Sequence, residues 1–251
     1  MMSILKRARP LLLAAFGLGA AGVHADVAQV RFDRAAGASI ASIDVLEVVQ
    51  QQRLMVLPRT THVDGAPPAR GTTPAFANPI PVQAALDNGT AALGEGFTRR
   101  GSSLGNEFGR QLVSALQAKG YDAKLLRGQK PHQNVPGRGQ SMAGVNSQAD
   151  AVLYVVLRFA GYKDDAASGG LVPMAGVDAY LFDKSGRLLY RQVFNQGFRL
   201  LPGAEVEQVP VGNSPKFANR AALVSGAENA AHGLVQVLQP VAARIADQLA
   251  K

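Results

Sequence analysis

ADAVLYVVLRFAGY, residues 149–162, is the stretch whose reading decides the fold. In an extended chain successive side chains point to opposite faces. Positions 151, 153, 155, 157 and 159 then present Ala, Leu, Val, Leu and Phe on one side, an unbroken apolar set. The other side carries Val152, Tyr154, Val156, Arg158, Ala160 and Tyr162. A strand that is pure core on one face requires a second layer packed against that face.

The flanking segments supply that layer and the rest of the sheet. After a flexible DDAASGG (164–170), GVDAYLFDKSGRLLYRQVFNQGF (176–198) alternates around Asp183-Lys184-Ser185-Gly186, which predicts a hairpin. Pairing of Asp183 with Arg187 would set Tyr180 opposite Tyr190, although a slip of one residue would exchange the faces. Upstream, Leu104, Phe108, Leu112 and Leu116 recur every fourth residue, and Val113 widens the stripe, which predicts a helix from Ser103. Ser102 or Ser103 can cap it, and Gly120 can end it before a short strand at 121–127. Residues 39–57 hold two β-prone runs, Ile40–Val49 and Leu54–Leu57, read as one or two strands ended by Pro58. From Ala218 to Ala250 apolar residues step by three or four, which predicts a C-terminal helix kinked or divided by Pro240.

Three proline- and glycine-rich stretches, 58–81, 128–148 and 199–216, read as long loops. Residues 26–38 show no clear period. The expected fold is one α+β domain over 39–251, an α/β sandwich. Its mixed sheet has about five strands, with helices packed on one face and a long C-terminal helix closing the chain.

The first 25 residues belong to another function. Lys6, Arg7 and Arg9 precede a short apolar run, Leu11 to Ala21, and Val23-His24-Ala25 supplies a small-x-small cleavage signal. That is the pattern of a secretory signal peptide cleaved after Ala25. The run falls short of the roughly 20 residues that span a bilayer, and no later segment approaches that length. The chain has no cysteine, so the expected exported protein carries neither a disulfide nor a lipid-attachment thiol. The predicted localisation is periplasmic, without lipidation.

Formal net charge is +8, and +5 once Lys6, Arg7 and Arg9 are removed. A moderate positive field favours anionic neighbours such as peptidoglycan, lipopolysaccharide or lipid head groups. Basic runs with interleaved aromatics are missing, so a nucleic-acid partner is not expected.

The ordered signals LQAKGYDAKLL, QADAVLYVVLRFAGY and GVDAYLFDKSGRLLYRQVF, followed by an amphipathic helix, resemble a group of bacterial envelope proteins. Their sheet is like the N-terminal domain of the translocation protein TolB, the penicillin-binding-protein activators and the curli-secretion protein CsgG. Gly120-Tyr121, Ala149-Asp150-Ala151 and Asp183 to Leu189 are the corresponding pieces here, over roughly residues 100–250. The chain departs from the lipoprotein members by lacking the anchor cysteine, and from TolB by lacking a propeller. The resemblance implies an assembly or partner-binding domain, and it brings no catalytic residues.

The candidate contact residues are Tyr154, Arg158, Tyr162, Tyr180 and Tyr190, a cationic-aromatic set of the kind enriched at binding hot spots. An ordinary sheet face covered by amphipathic side chains is the competing explanation. No catalytic residue, metal site or cofactor is expected. The rival reading is a secreted serine hydrolase using Ser141 in Gly139–Gly144, but the strand before it and the second glycine of a nucleophile elbow are both missing. A third is a small-ligand carrier with loops 58–81 and 128–148 forming a mouth. His62, His132 and His232 show no metal-ligand spacing.

Overall fold

The structure, a computed structural model, describes residues 29–57, 88–129, 131, 142–165, 167–197 and 206–250. The signal segment, loop 58–81, His62, His132 and Ser141 lie outside the described residues.

The chain folds as an α+β sandwich. Its centre is an antiparallel meander of β5 (Ala151–Asp165), β6 (Gly170–Asp183) and β7 (Leu188–Gln196). The DDAASGG segment turns between two long strands: β5 runs through Asp165, residues 167–169 turn, and β6 begins at Gly170. Residues 42–57 form β1 (Ser42–Leu46), β2 (Val49–Gln50) and β3 (Met55–Leu57), which run in succession parallel to β5 along one edge. Beyond β1 lies β4 (Asp122–Leu126), also parallel. A two-residue strand, β8 (Glu207–Gln208), pairs with β7 inside the stretch read as a loop. Among the described residues the sheet therefore has eight strands, not about five. The surplus comes from one edge segment broken into three and from a pairing too short to carry a period.

Residue types explain the local structure. The stripe of Leu104, Phe108, Leu112 and Leu116 is fully buried on α3 (Leu104–Ala118), and the Ser103 hydroxyl accepts the Asn106 N–H at its start. Gly120 takes φ +86 in the turn that sends the chain back into β4. Helix α2 (Asn88–Arg99) was not expected, because its glycines and threonines lower helix propensity. Tertiary contact sustains it. Leu93 and Phe97 are buried, and a side chain at Gly96 would meet the Ala227 carbonyl at 2.5 Å, so the glycine permits close approach to the C-terminal helix.

That C-terminal region divides at Gly226 into α4 (Arg220–Ser225) and α5 (Ala227–Leu249). Pro240 lies within α5, so of the two expected outcomes, a kink or a division at the proline, the division is not seen. A proline deprives one preceding carbonyl of its partner. Val237, Leu238 and Val241 around it are buried against the core and keep the helix continuous.

Helices α2, α3 and α5 cover one face of the sheet, where Val45, Leu153, Val155, Leu157, Val177 and Leu181 are fully buried. Each such side chain contributes about 1.5–3 kcal/mol of burial free energy. The short α1 (Arg34–Gly37) precedes β1.

Asp150 fastens the edge to the centre. Its Oδ2 accepts the Ala41 and Ser42 N–H groups at 3.0 Å and the Ser42 hydroxyl at 2.9 Å, and its Oδ1 meets Lys184 Nζ at 2.9 Å. The Lys184 contact and these hydrogen bonds hold its carboxyl well below the usual carboxylate range. The Ala-Asp-Ala sequence is thus a staple joining β1, β5 and the hairpin turn.

Candidate functional site

Alternation along β5 fails at one residue, and that residue is Arg158. Leu157 pairs with Val177 and Phe159 with Gly176, so Arg158 has no opposite number on β6. A β-bulge of this kind inserts one residue and reverses the faces beyond it. Phe159 accordingly leaves the helix face and joins Met55 and Met174 on the other side. Ala160 and Tyr162 move to the helix face. Tyr162 is therefore no neighbour of Arg158: it is fully buried, and its hydroxyl donates to the Ala230 carbonyl of α5 at 3.0 Å. Burial drives its phenol far above the usual tyrosine range.

Tyr190 is displaced for the same kind of reason. The hairpin closes with Asp183 N–H donating to the Arg187 carbonyl at 3.0 Å, as expected. The register then slips, since Phe182 pairs with Leu188 and Leu181 with Tyr190. Tyr190 faces the helices, and its hydroxyl donates to Gln248 Oε1 at 2.7 Å. Arg191 takes the place opposite Tyr180.

Tyr154, Arg158 and Tyr180 remain together, joined by two residues that the sequence reading passed over, Asp178 and Arg191. Arg158 Nε lies 2.9 Å from Asp178 Oδ1. The rings of Tyr154 and Tyr180 stack at 5.9 Å and 28°, and the Arg191 guanidinium sits 5.6 Å from the Tyr180 ring centre. Burial raises the Asp178 carboxyl above its ordinary value, with Arg158 and Arg191 pulling the other way. The face is not the half-exposed surface the alternation suggested. Tyr154 is 4% exposed and packs with Val152, Val156 and Phe182, while Met142 and Val145 lie against them. The Arg158 side chain reaches solvent at 33%.

The result is a rim: two guanidiniums supported from below by a buried carboxylate and a tyrosine stack. Such a group can hold anions or carbonyls and stack on planar partners. Among the described residues no three His, Cys, Asp or Glu side chains converge. His232 is within α5, its ring nitrogen 3.0 Å from Gln236 Nε2.

No family model matches the chain, and no curated protein matches it. Solved structures give faint likenesses. PelC from Paraburkholderia phytofirmans, in a dodecamer, matches with 13% identity and a TM-score of 0.32 over 84% of this chain and 95% of its own. A Xanthomonas campestris protein assigned to DUF330 matches with 13% identity and a TM-score of 0.34 over 83% and 85%. A hypothetical protein from Chlamydia trachomatis gives 14% and 0.29 over 61% and 70%. At such values the functional argument rests on this chain's own residues.

Asp178 was within reach of the sequence, since it has the same parity as Tyr180 and Phe182 in an alternating run. A carboxylate at that parity marks the face that is not pure core. Arg191 was not, because its place opposite Tyr180 depends on a bulge in the hairpin.

Proposed function

We propose that this chain is a non-enzymatic adaptor of the bacterial periplasm, exported by its signal peptide and not lipidated. It serves envelope assembly or maintenance by binding a protein or an anionic envelope component. The kinship with TolB-N-terminal-like domains is part of this proposal and rests on the sequence pieces quoted above. No helix among the described residues is long and apolar enough to cross a membrane.

The observation that carries the reading is the Arg158–Asp178–Tyr180–Arg191 rim. Its members are held by one another, so a partner meets side chains already ordered, and ordering costs subtract less from affinity.

The test is photocrosslinking from position 180 in the native periplasm, followed by capture through a tag. A specific adduct that disappears in an Arg158→Ala/Arg191→Ala double variant with unchanged melting temperature is the expected result. If no adduct forms and a reactive-serine probe labels Ser141 instead, the hydrolase reading replaces this one.

A further inference from the structure

On the opposite side of β7 from the rim, between the sheet edge and α5, lies a cleft of about 670 Å³. Its walls come from four distant parts of the chain. Val30 pairs with Arg191 through two hydrogen bonds, 3.0 and 2.8 Å, pinning residues 29–32 to the outer edge of β7. Asp33 then caps α1 by accepting the Ala35 N–H at 2.9 Å, which fixes the path of Arg34. β8 supplies Glu207, and α5 supplies Arg244 and Gln248, one helical turn apart on the same face.

A hydrogen-bonded chain organises the floor. Tyr190 donates to Gln248 Oε1 at 2.7 Å, Gln248 donates to Glu207 Oε2 at 2.5 Å, and Arg244 Nε donates to Glu207 Oε1. Both oxygens of Glu207 are thereby engaged, and its charge is balanced by Arg244. Arg244 is held through Nε, lines the cleft, and keeps half of its side chain exposed. Arg31 and Arg34 also line the cleft, and among the described residues neither has a carboxylate partner. The described lining thus carries three guanidiniums, those of Arg31, Arg34 and Arg244, against the single carboxylate of Glu207.

We propose that this cleft binds a phosphate ester. A phosphate takes planar guanidinium forks in pairs and matches two net positive charges better than a single carboxylate does. The volume falls in the range of small-molecule sites and leaves room for the body of an ester beyond the anion. Gln192 also lines the wall, with its Nε2 donating to the Val193 carbonyl at 3.2 Å. The same chemistry is presented by a soluble phosphomonoester and by a phospholipid head group. The assignment is independent of the adaptor reading, because the rim lies on the other face of β7.

The experiment is titration calorimetry of the full exported chain with glycerol 3-phosphate, inorganic phosphate and glycerate, alongside flotation with phosphatidylglycerol and phosphatidylcholine vesicles. The Arg31→Gln/Arg34→Gln variant alters only exposed side chains, and circular dichroism checks its fold. Saturable binding of glycerol 3-phosphate, weakened at least about tenfold in the variant, supports a soluble ester. Flotation with phosphatidylglycerol only, lost in the variant, supports a head group as the source. Binding that the variant leaves unchanged overturns the proposal, as does glycerate binding as tightly as glycerol 3-phosphate. Absence of binding to every probe overturns it too.

Discussion

The two faces of the β5–β7 meander use the same residue type in different ways. On the helix face Tyr162 and Tyr190 are buried, and each hydroxyl ends on a group of α5, as does that of Tyr121, which donates to the Leu249 carbonyl. There the ring fills the core and the hydroxyl ties sheet to helix. On the other face Tyr154 and Tyr180 stack on each other, with Arg191 beside the stack and Asp178 beneath Arg158. There the ring supports charge. Which use a tyrosine serves is decided by the bulges at Arg158 and in the hairpin, not by the tyrosine itself.

This contrast can be broken most forcefully from the helix side. Leu153→Ala removes a fully buried side chain beneath the helices and is expected to cost about 3 kcal/mol in denaturant unfolding. A loss below about 1 kcal/mol would mean that this face is not the principal core. Next comes the rim. Asp178→Ala leaves Arg158 without its carboxylate and should cost about 2 kcal/mol, less than a fully buried pair because Arg158 is one-third exposed. Asp178→Asn should cost less than Asp178→Ala, since burial already opposes the ionised form.

A finer comparison applies one change to both faces. Tyr162→Phe removes the hydroxyl's bond to the Ala230 carbonyl and should cost about 1 kcal/mol, whereas Tyr154→Phe, which keeps the stack, should fall within about 0.5 kcal/mol of zero. Equal losses would erase the distinction between tethering and stacking tyrosines.

The subtlest effect is a slope, carried by two carboxylates of opposite sign. Asp150 has a depressed folded pKa, so its stabilisation is present above the unfolded value of about 3.9 and is lost as pH falls towards the folded value. Asp178 has a raised folded pKa, so its contribution is present below about 3.9 and is lost as pH rises through the folded value. Unfolding free energy measured against pH should therefore decline less steeply on the acid side in Asp150→Asn, where Asp165 and Asp183 still contribute. Its loss with rising pH above about 3.9 should weaken in Asp178→Asn. Parallel curves for all three proteins would refute both assignments.

Much of the fold was legible because it rests on periodicity. The four-residue stripe on α3, the capping serine, Gly120 and the hairpin turn at Asp183 all stand where local chemistry puts them. Helix α2 was not legible, since its support comes from the Ala227 backbone rather than from its own glycine-rich sequence. The candidate site was half readable. Tyr154, Arg158 and Tyr180 share a face by simple alternation, and Tyr162 and Tyr190 were misplaced by insertions that alternation cannot register. The cleft was invisible: Glu207 and Arg244, or Tyr190 and Gln248, meet only after the chain has closed on itself.

The edge made of β1, β2 and β3 has a consequence for the order of assembly. β5, β6 and β7 pair through short turns, so their loop-closure entropy is small. The edge reaches β5 only across about a hundred residues, from Ile43 to Ala151 and from Met55 to Gly161. Contacts of that separation form late and slow the whole reaction. Loop-closure entropy therefore favours the meander forming first, with residues 42–57 and the Asp150 staple joining it later.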